Sequence, residues 1–421
     1  MSVRQSRQFV TSPSLANLTK NLLAGLTVAI VALPLALAFG IGSGLGAQAG
    51  LVTAVVAGIL AAIFGGSRYQ VSGPTGAMTV ILIPIVATYG PTAVLQVGLM
   101  AGGFLLLAAV LRLGKHIHRL PTSLVEGFTA GIAIVIALQQ VAFVLGVKLE
   151  ASDHIWDSVY QEVQTWLKAP SFAALIIGLL VLMVNIFGTS RWPKLPLALL
   201  SVLAATIVSN ALGLNLKLIG DLPNQFANPN WDFLSGGNWL ALLPPALAVG
   251  FLAGLESLLS AKIADRLAGG DSHRPDRELF GQGVANLVVP FFGGVPATAA
   301  LARTAVNVRA GATNRLAAVS HGVFLLVFIL FVSNWIEQIP LAALGGVLIA
   351  TAYHMVRIEE LRATASESKL DGLVLIVTLA STVLLDLISA LVIGLVIYVL
   401  LRKTKLKARA IPIDQEETLG D

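Results

Sequence analysis

The chain has 421 residues, of which 56% are hydrophobic and 12% charged, with a mean hydropathy of +0.85. Soluble domains carry about a quarter charged residues, so this composition excludes them and points to a chain folded in lipid. The net charge of +5 sits in short loops between apolar runs, which argues for membrane topology rather than a nucleic-acid partner, and the lack of cysteine excludes disulfides, thiolate metal sites and cysteine nucleophiles.

Residues 1–20 form a polar lead with Arg4, Arg7 and Lys20 and no cleavable signal pattern. Apolar runs at 22–39, with Pro34 inside, and at 50–64 predict the first two spans. A short extended piece, Arg68-Tyr69-Gln70-Val71, then enters Ser72-Gly73-Pro74-Thr75-Gly76. Pro74 suits a first helical turn, but the apolar run that follows reaches only to Gly90, too short to cross a bilayer. A helix opening inside a membrane presents free N–H groups and a positive dipole end, tolerable only beside a cavity or buried in protein, and suited to an anion.

Residues 91–111 give a fourth segment, ended by Arg112, Lys115, His116, His118 and Arg119, and 124–145 a fifth. Ile155, Val159, Val163 and Leu167 recur at helical spacing above a polar face, so 153–167 is expected to lie along the membrane surface. Segments at 173–187 and 195–212 complete seven. A polar, Asn- and Pro-rich connector at 215–239 follows.

The second half repeats the pattern. Segment 240–263 carries Glu256 among Gly250, Gly254, Ser257 and Ser260. A hydrophilic loop, 265–278, leads to a short apolar segment ending near Phe292, then to Gly293-Gly294-Val295-Pro296-Ala297-Thr298 and a second half-length helix predicted over 296–308. Segments at 314–332, 341–355, 370–384 and 387–401 follow, with an amphipathic stretch at 357–368. The tail is basic over 402–409, then acidic and polar to Asp421. Two interrupted, half-length segments in corresponding positions of two halves point to the binding site of a transporter built from inverted repeats. With each segment counted as one crossing, nearly all loop Arg and Lys fall on one side and only Lys148, Lys168 and Lys217 on the other, which puts both termini in the cytoplasm.

Few residues can carry chemistry. Glu256 is a carboxylate at the middle of an apolar span, either a proton or cation site or a neutral acid capping a carbonyl or paired with Lys262. Ser260, four residues on, extends a polar stripe or serves helix packing. Arg303 either draws an anion to the facing helix ends or snorkels to the surface. Thr75 offers a hydroxyl beside the free amides or is a plain turn residue, whereas Phe39 and Pro34 read from position alone as lipid or core contacts and Asp386 as a turn. No GxxxxGK[ST] or HExxH motif and no nucleophile–base pair at membrane depth is present, which argues against an ATP-driven pump, a metalloenzyme and a membrane-embedded enzyme.

These motifs together resemble the sulfate permease (SulP) family of anion transporters, relatives of bacterial bicarbonate carriers and of prestin. Pro34-Leu35-Ala36-Leu37-Ala38-Phe39 is similar to the family's PQGMAYA segment, with Leu35 in place of its glutamine. Ser72-Gly73-Pro74-Thr75 resembles the start of its third helix, and Glu256 the acidic position of its eighth. Residues 277–286, from Arg277 to Asn286, resemble the NQELIGQGxxN signature, and 296–316 resemble the tenth helix.

The resemblance implies an all-α polytopic membrane protein of fourteen segments in two inverted seven-segment repeats, with two half-helices preceded by short strands. It implies a core (21–120 and 240–335), a gate (121–214 and 336–402), an extracellular connector (215–239), and cytoplasmic ends (1–20 and 403–421) with no STAS domain in the second. The substrate anion is then expected between the half-helix N-termini, at Phe39, Thr75, Glu256, Ser260 and the backbone around Ala299, Ala300 and Leu301, with Arg303 close by. The expected function is secondary active transport of sulfate, bicarbonate or dicarboxylate at the inner (plasma) membrane, with a proton, or else sodium, coupled through Glu256. The lipid bilayer, the anion and the coupling ion are the expected partners, with no cofactor and no nucleic acid, and a homodimer weakened by the missing STAS domain. A passive anion channel, an uncoupled exchanger or a nucleobase carrier of the same fold are the alternatives.

Overall fold

A computed structural model describes residues 15–117, 121–148, 155–192, 195–220, 222, 225–269, 272–385 and 387–409. The lead through residue 14, the tail beyond 409, and His118, Arg119, Lys194 and Asp386 lie outside them.

The first half runs α1 (Leu15–Gly42), α2 (Ala47–Phe64), β1 (Ser72–Gly73), α3 (Gly76–Tyr89), α4 (Pro91–Val110), the one-turn α5 (Gly114–Ile117), α6 (Thr122–Gln139), α7 (Val141–Leu145), α8 (Ile155–Lys168), α9 (Phe172–Arg191) and α10 (Leu197–Ala211). The second runs α11 (Leu243–Ala268), α12 (Pro275–Val288), β2 (Thr298–Ala299), α13 (Leu301–Arg309), α14 (Leu316–Ile336), α15 (Leu341–Met355), α16 (Ile358–Glu367), α17 (Lys369–Leu384) and α18 (Leu387–Arg409). Setting aside α5, α8 and α16, and counting α6 with α7 as one, these make fourteen segments, seven in each half. At 1.5 Å per residue α3 spans about 21 Å and α13 about 14 Å, both short of the ~30 Å hydrocarbon core.

Caps explain where the helices break. Gly90 (φ 83°) ends α3 and starts α4, with Pro91 at the first helical position, so two helices meet with no intervening loop. Ser171 and Ser368 accept the Ala174 and Asp371 amides and open α9 and α17.

The packing repeats with the halves exchanged. If α1–α4 correspond to α11–α14, and α6, α9 and α10 to α15, α17 and α18, then α1 on α14 matches α11 on α4, and α12 on α4 matches α2 on α14. Likewise α6 on α17 matches α15 on α9, and α9 on α10 matches α17 on α18. The self-paired contacts, α2 on α12, α6 on α15 and β1 on β2, lie between the halves. This is the inverted repeat that the paired half-helices predict.

Outside surfaces are apolar. On α9, Ile176, Leu180, Met183 and Phe187 are exposed while Asn185 is buried and donates to Ser201 of α10 at 2.9 Å. On α8, Trp156, Tyr160, Val163 and Leu167 face outward and Ser158 and Glu162 inward, as suits a helix at the lipid boundary.

Three local expectations need correction. Helix α11 continues to Ala268 and α12 starts at Pro275, so both ends of the expected hydrophilic loop 265–278, namely 265–268 and 275–278, are helical. Pro74 precedes the cap of α3 instead of occupying its first turn. The second half-helix starts at Leu301, five residues after Pro296, because residues before it are taken up in pairing with β1 and α12.

Candidate functional site

The site is built on the crossing of two short strands. Ser72 pairs with Ala299 and Gly73 with Thr298, antiparallel, and the Ala300 amide adds a bond to the Val71 carbonyl at 2.9 Å. A two-residue strand pair is not stable by itself. Here a buried polar frame holds it.

On α12, Glu278, Gln282 and Asn286 stand at four-residue spacing on one buried face. Asn286 accepts the Ala297 amide at 2.8 Å and donates to the Ala297 carbonyl at 2.9 Å, while Gln282 donates to the Ser72 hydroxyl at 2.7 Å. From α11, the Ser257 hydroxyl accepts the Ala299 amide at 3.1 Å and lies 3.0 Å from the Thr298 hydroxyl. Thr304 of α13 accepts the Val71 amide at 3.1 Å. Each bond satisfies a buried group that would otherwise cost about 1–3 kcal/mol.

This frame sets the two helix N-termini. Thr75 caps α3, accepting from the Met78 amide at 3.4 Å, and its hydroxyl donates to Glu256 Oε2 at 3.1 Å. Glu256 stands midway along α11, partly accessible among buried neighbours. Arg303 is buried, and its Nη2 donates to the Pro74 carbonyl at 2.5 Å. The guanidinium therefore ties the second half-helix to the lead of the first instead of reaching the surface. Glu256 and Arg303 are near enough to interact electrostatically but form no ion pair among the described residues.

The two ends differ. Helix α13 has Ala300 at its cap, with no side-chain bond, so its first-turn amides lack a protein cap. Ala300 and Leu301 are half-buried and Ala302 is exposed, which leaves that end accessible. Helix α3 is closed over: Phe39 of α1 and Ile136 of α6 press on Gly76, where an added Cβ would lie 2.2 Å from Ile136 Cδ1 and 3.2 Å from Phe39 Cε1.

Of the expected site residues, the structure brings Thr75 and Glu256 into direct contact, with Phe39 beside Gly76. The Ala299 and Ala300 amides are engaged by Ser257 and Val71, so the donors left for a ligand come from the first turn beginning at Leu301. Ser260 is buried and donates to Thr304 at 3.3 Å, which makes it a tie between α11 and α13. Sequence reasoning assigned no role to Ser257, Gln282, Asn286 or Thr298. The readable signal was the Glu278, Gln282, Asn286 spacing, three polar residues on one stripe of a helix at membrane depth.

An uncapped helix N-terminus beside a lone carboxylate can bind a small anion and exchange a proton. The described residues contain no group of three or more His, Asp or Glu placed to hold a metal.

Residues 18–378 match the sulfate permease family. The chain is 37% identical to "Putative sulfate transporter YvdB" of Bacillus subtilis, over 91% of this chain and 73% of that protein. It is 31% identical to the bicarbonate transporter BicA of Synechocystis, over 94% of this chain and 72% of that one. The solved transmembrane domain of a cyanobacterial BicA superimposes with a TM-score of 0.82 at 31% identity, covering 90% of this chain and 98% of that domain. The murine Slc26a9 anion transporter gives 0.83 at 16% identity, covering 93% and 69%, a likeness of fold.

Proposed function

The chain belongs to the sulfate permease family, and from that premise we propose that it is a secondary active, proton-coupled carrier of small anions of the sulfate, bicarbonate or dicarboxylate class. The observation that carries this reading is the Thr75–Glu256 hydrogen bond at the end of the crossed strands. It places the only carboxylate of α11's apolar middle against the cap of one half-helix, beside the uncapped end of the other.

The coupling is electrostatic. An anion at the first turn of α13 and an ionised Glu256 repel one another, by about 4 kcal/mol for unit charges ~4 Å apart at an effective dielectric of ~20. That is about a thousandfold in affinity. Protonating Glu256 removes the repulsion, so anion and proton travel together. One carboxylate makes a thin cage for sodium, which favours the proton.

Movement is assigned to the core (21–120 and 240–335) against the gate (121–214 and 336–402). Ile136 on Gly76 is the contact that parts when α3 withdraws from α6. The α11–α12 turn, with Arg274 and Arg277 where α12 begins, and both termini are assigned to the cytoplasmic side of the inner membrane.

The test is uptake of radiolabelled sulfate and bicarbonate into proteoliposomes, with and without an inward proton or sodium gradient. Saturable uptake raised by the proton gradient alone supports the reading. Unitary currents with non-saturating flux would establish a channel instead.

A further inference from the structure

We propose that the face of the protein bearing the α11–α12 turn holds a second anion site, separate from the crossed strands, that takes a phosphate-bearing ligand. A cavity of about 620 Å³ opens there, lined among others by Arg68, Asp265, His273, Arg274, Arg277 and Arg315. It gathers the end of α2, the approach to β1, the end of α11, the start of α12 and the α13–α14 turn.

Its charge is unbalanced. Its lining carries Arg68, Arg274, Arg277 and Arg315 against Asp265 alone, and Arg277, Arg68 and Arg274 lie close enough to Arg315 to repel it, an effect that Glu278 offsets in part. Among the described residues the acids nearby already accept other hydrogen bonds: Asp265 accepts from the His273 amide and ring at 2.9 and 2.7 Å, and Asp276 accepts the Gly114 amide at 3.0 Å. Glu278 lies beneath, accepting the Gly66 and Ser67 amides at 2.8 and 2.9 Å. Among the described residues Arg274, Arg277 and Arg315 have no ion pair.

The arginines divide the work. Arg315 is fixed, donating to the carbonyls of Gly65, Ile63 and Ser67 at 2.7, 3.3 and 3.3 Å, and so supplies immobile charge. Arg274 and Arg277 are exposed where α12 begins and both line the cavity, Arg277 with its Nε donating to the Phe64 carbonyl at 3.4 Å. Arg274 at the helix cap makes no side-chain cap bond, and the N-terminal dipole of this 14-residue helix adds to the field. Guanidiniums bind phosphate through paired N–H groups, a geometry that a monatomic anion cannot use. The ligand is either a soluble phosphate compound or the headgroup of an anionic phospholipid.

Two probes separate these sources: inorganic pyrophosphate added to protein in phosphatidylcholine nanodiscs, and nanodiscs in which phosphatidic acid replaces part of the lipid. Pyrophosphate affinity is read by calorimetry and phosphatidic acid by native mass spectrometry of retained lipid. The wild type is expected to bind at least one probe. Arg274→Ala with Arg277→Ala should weaken that binding tenfold or more, the Lys/Lys pair should recover only part of it, and Glu256→Gln should leave it unchanged. If phosphatidic acid displaces pyrophosphate, the source is lipid; if pyrophosphate binds equally in both discs, it is soluble. The proposal is overturned if neither probe binds wild type, or if the double alanine variant, shown folded by an unchanged melting temperature, binds like wild type.

Discussion

Arg303 donates to the carbonyl of Pro74, so the cation inside the second half-helix holds the first half-helix in position. Replacing it removes a charged hydrogen bond and leaves a cavity the size of a buried guanidinium. Arg303→Ala is expected to destabilise the protein by about 3 kcal/mol or more and to abolish uptake. Arg303→Lys, with charge but no planar fork, should fall between the two. Melting in detergent and proteoliposome uptake, measured on the same preparations, check both.

Gly73 sits against that guanidinium. A Cβ there would lie 2.5 Å from Arg303 Nη1 and 3.3 Å from the Ala54 Cα. Gly73→Ala should therefore cost about 1–3 kcal/mol through overpacking. In a double-mutant cycle with Arg303→Lys, whose slimmer head leaves room, the two losses should be clearly less than additive.

Glu256→Gln keeps an oxygen for the Thr75 hydroxyl while removing the titratable group, so folding should survive. Uptake should lose its response to an inward proton gradient, with any residual flux unchanged by external pH. A variant that still follows the pH gradient would dismiss Glu256 as the coupling residue.

Gly76 is the contact between α3 and α6. Gly76→Ala asks that the tip of Ile136, met at 2.2 Å, turn aside and that the Phe39 ring, met at 3.2 Å, give slightly, and should be mild. Gly76→Leu has no such remedy and should suppress uptake, with partial recovery when combined with Ile136→Ala. Single-variant and double-variant uptake rates decide it.

Topology can be read without background, because the chain has no cysteine. Asn230→Cys in the connector should react with an impermeant maleimide in intact cells. Ser272→Cys in the α11–α12 turn should react only after the membrane is opened. The reverse pattern would invert the orientation.

Much of this architecture was legible because lipid makes polarity conspicuous. Glu256 stood out in an apolar run, and the short run after Thr75 could not cross a bilayer. The half-helix starts were less readable. Pro74 and Pro296 both have the local signature of a first turn, yet their residues extend into pairings with partners more than 200 positions away, and no local pattern announces those. Ser260 was placed with Glu256 by four-residue spacing, but α11 is packed on nearly all sides, so periodicity does not say which neighbour each face meets. The structure turns Ser260 to Thr304 and Glu256 to Thr75.

The exchanged contact pattern of the two halves reaches beyond the arrangement seen here. If each half took the internal shape of the other, α1 on α14 would become α11 on α4, and every matched pairing would survive with its members relabelled. Under the alternating access proposed above, that exchange would supply the second form of the carrier. The threonine that caps one short helix and the alanine that begins the other would then make the two forms unequal in energy.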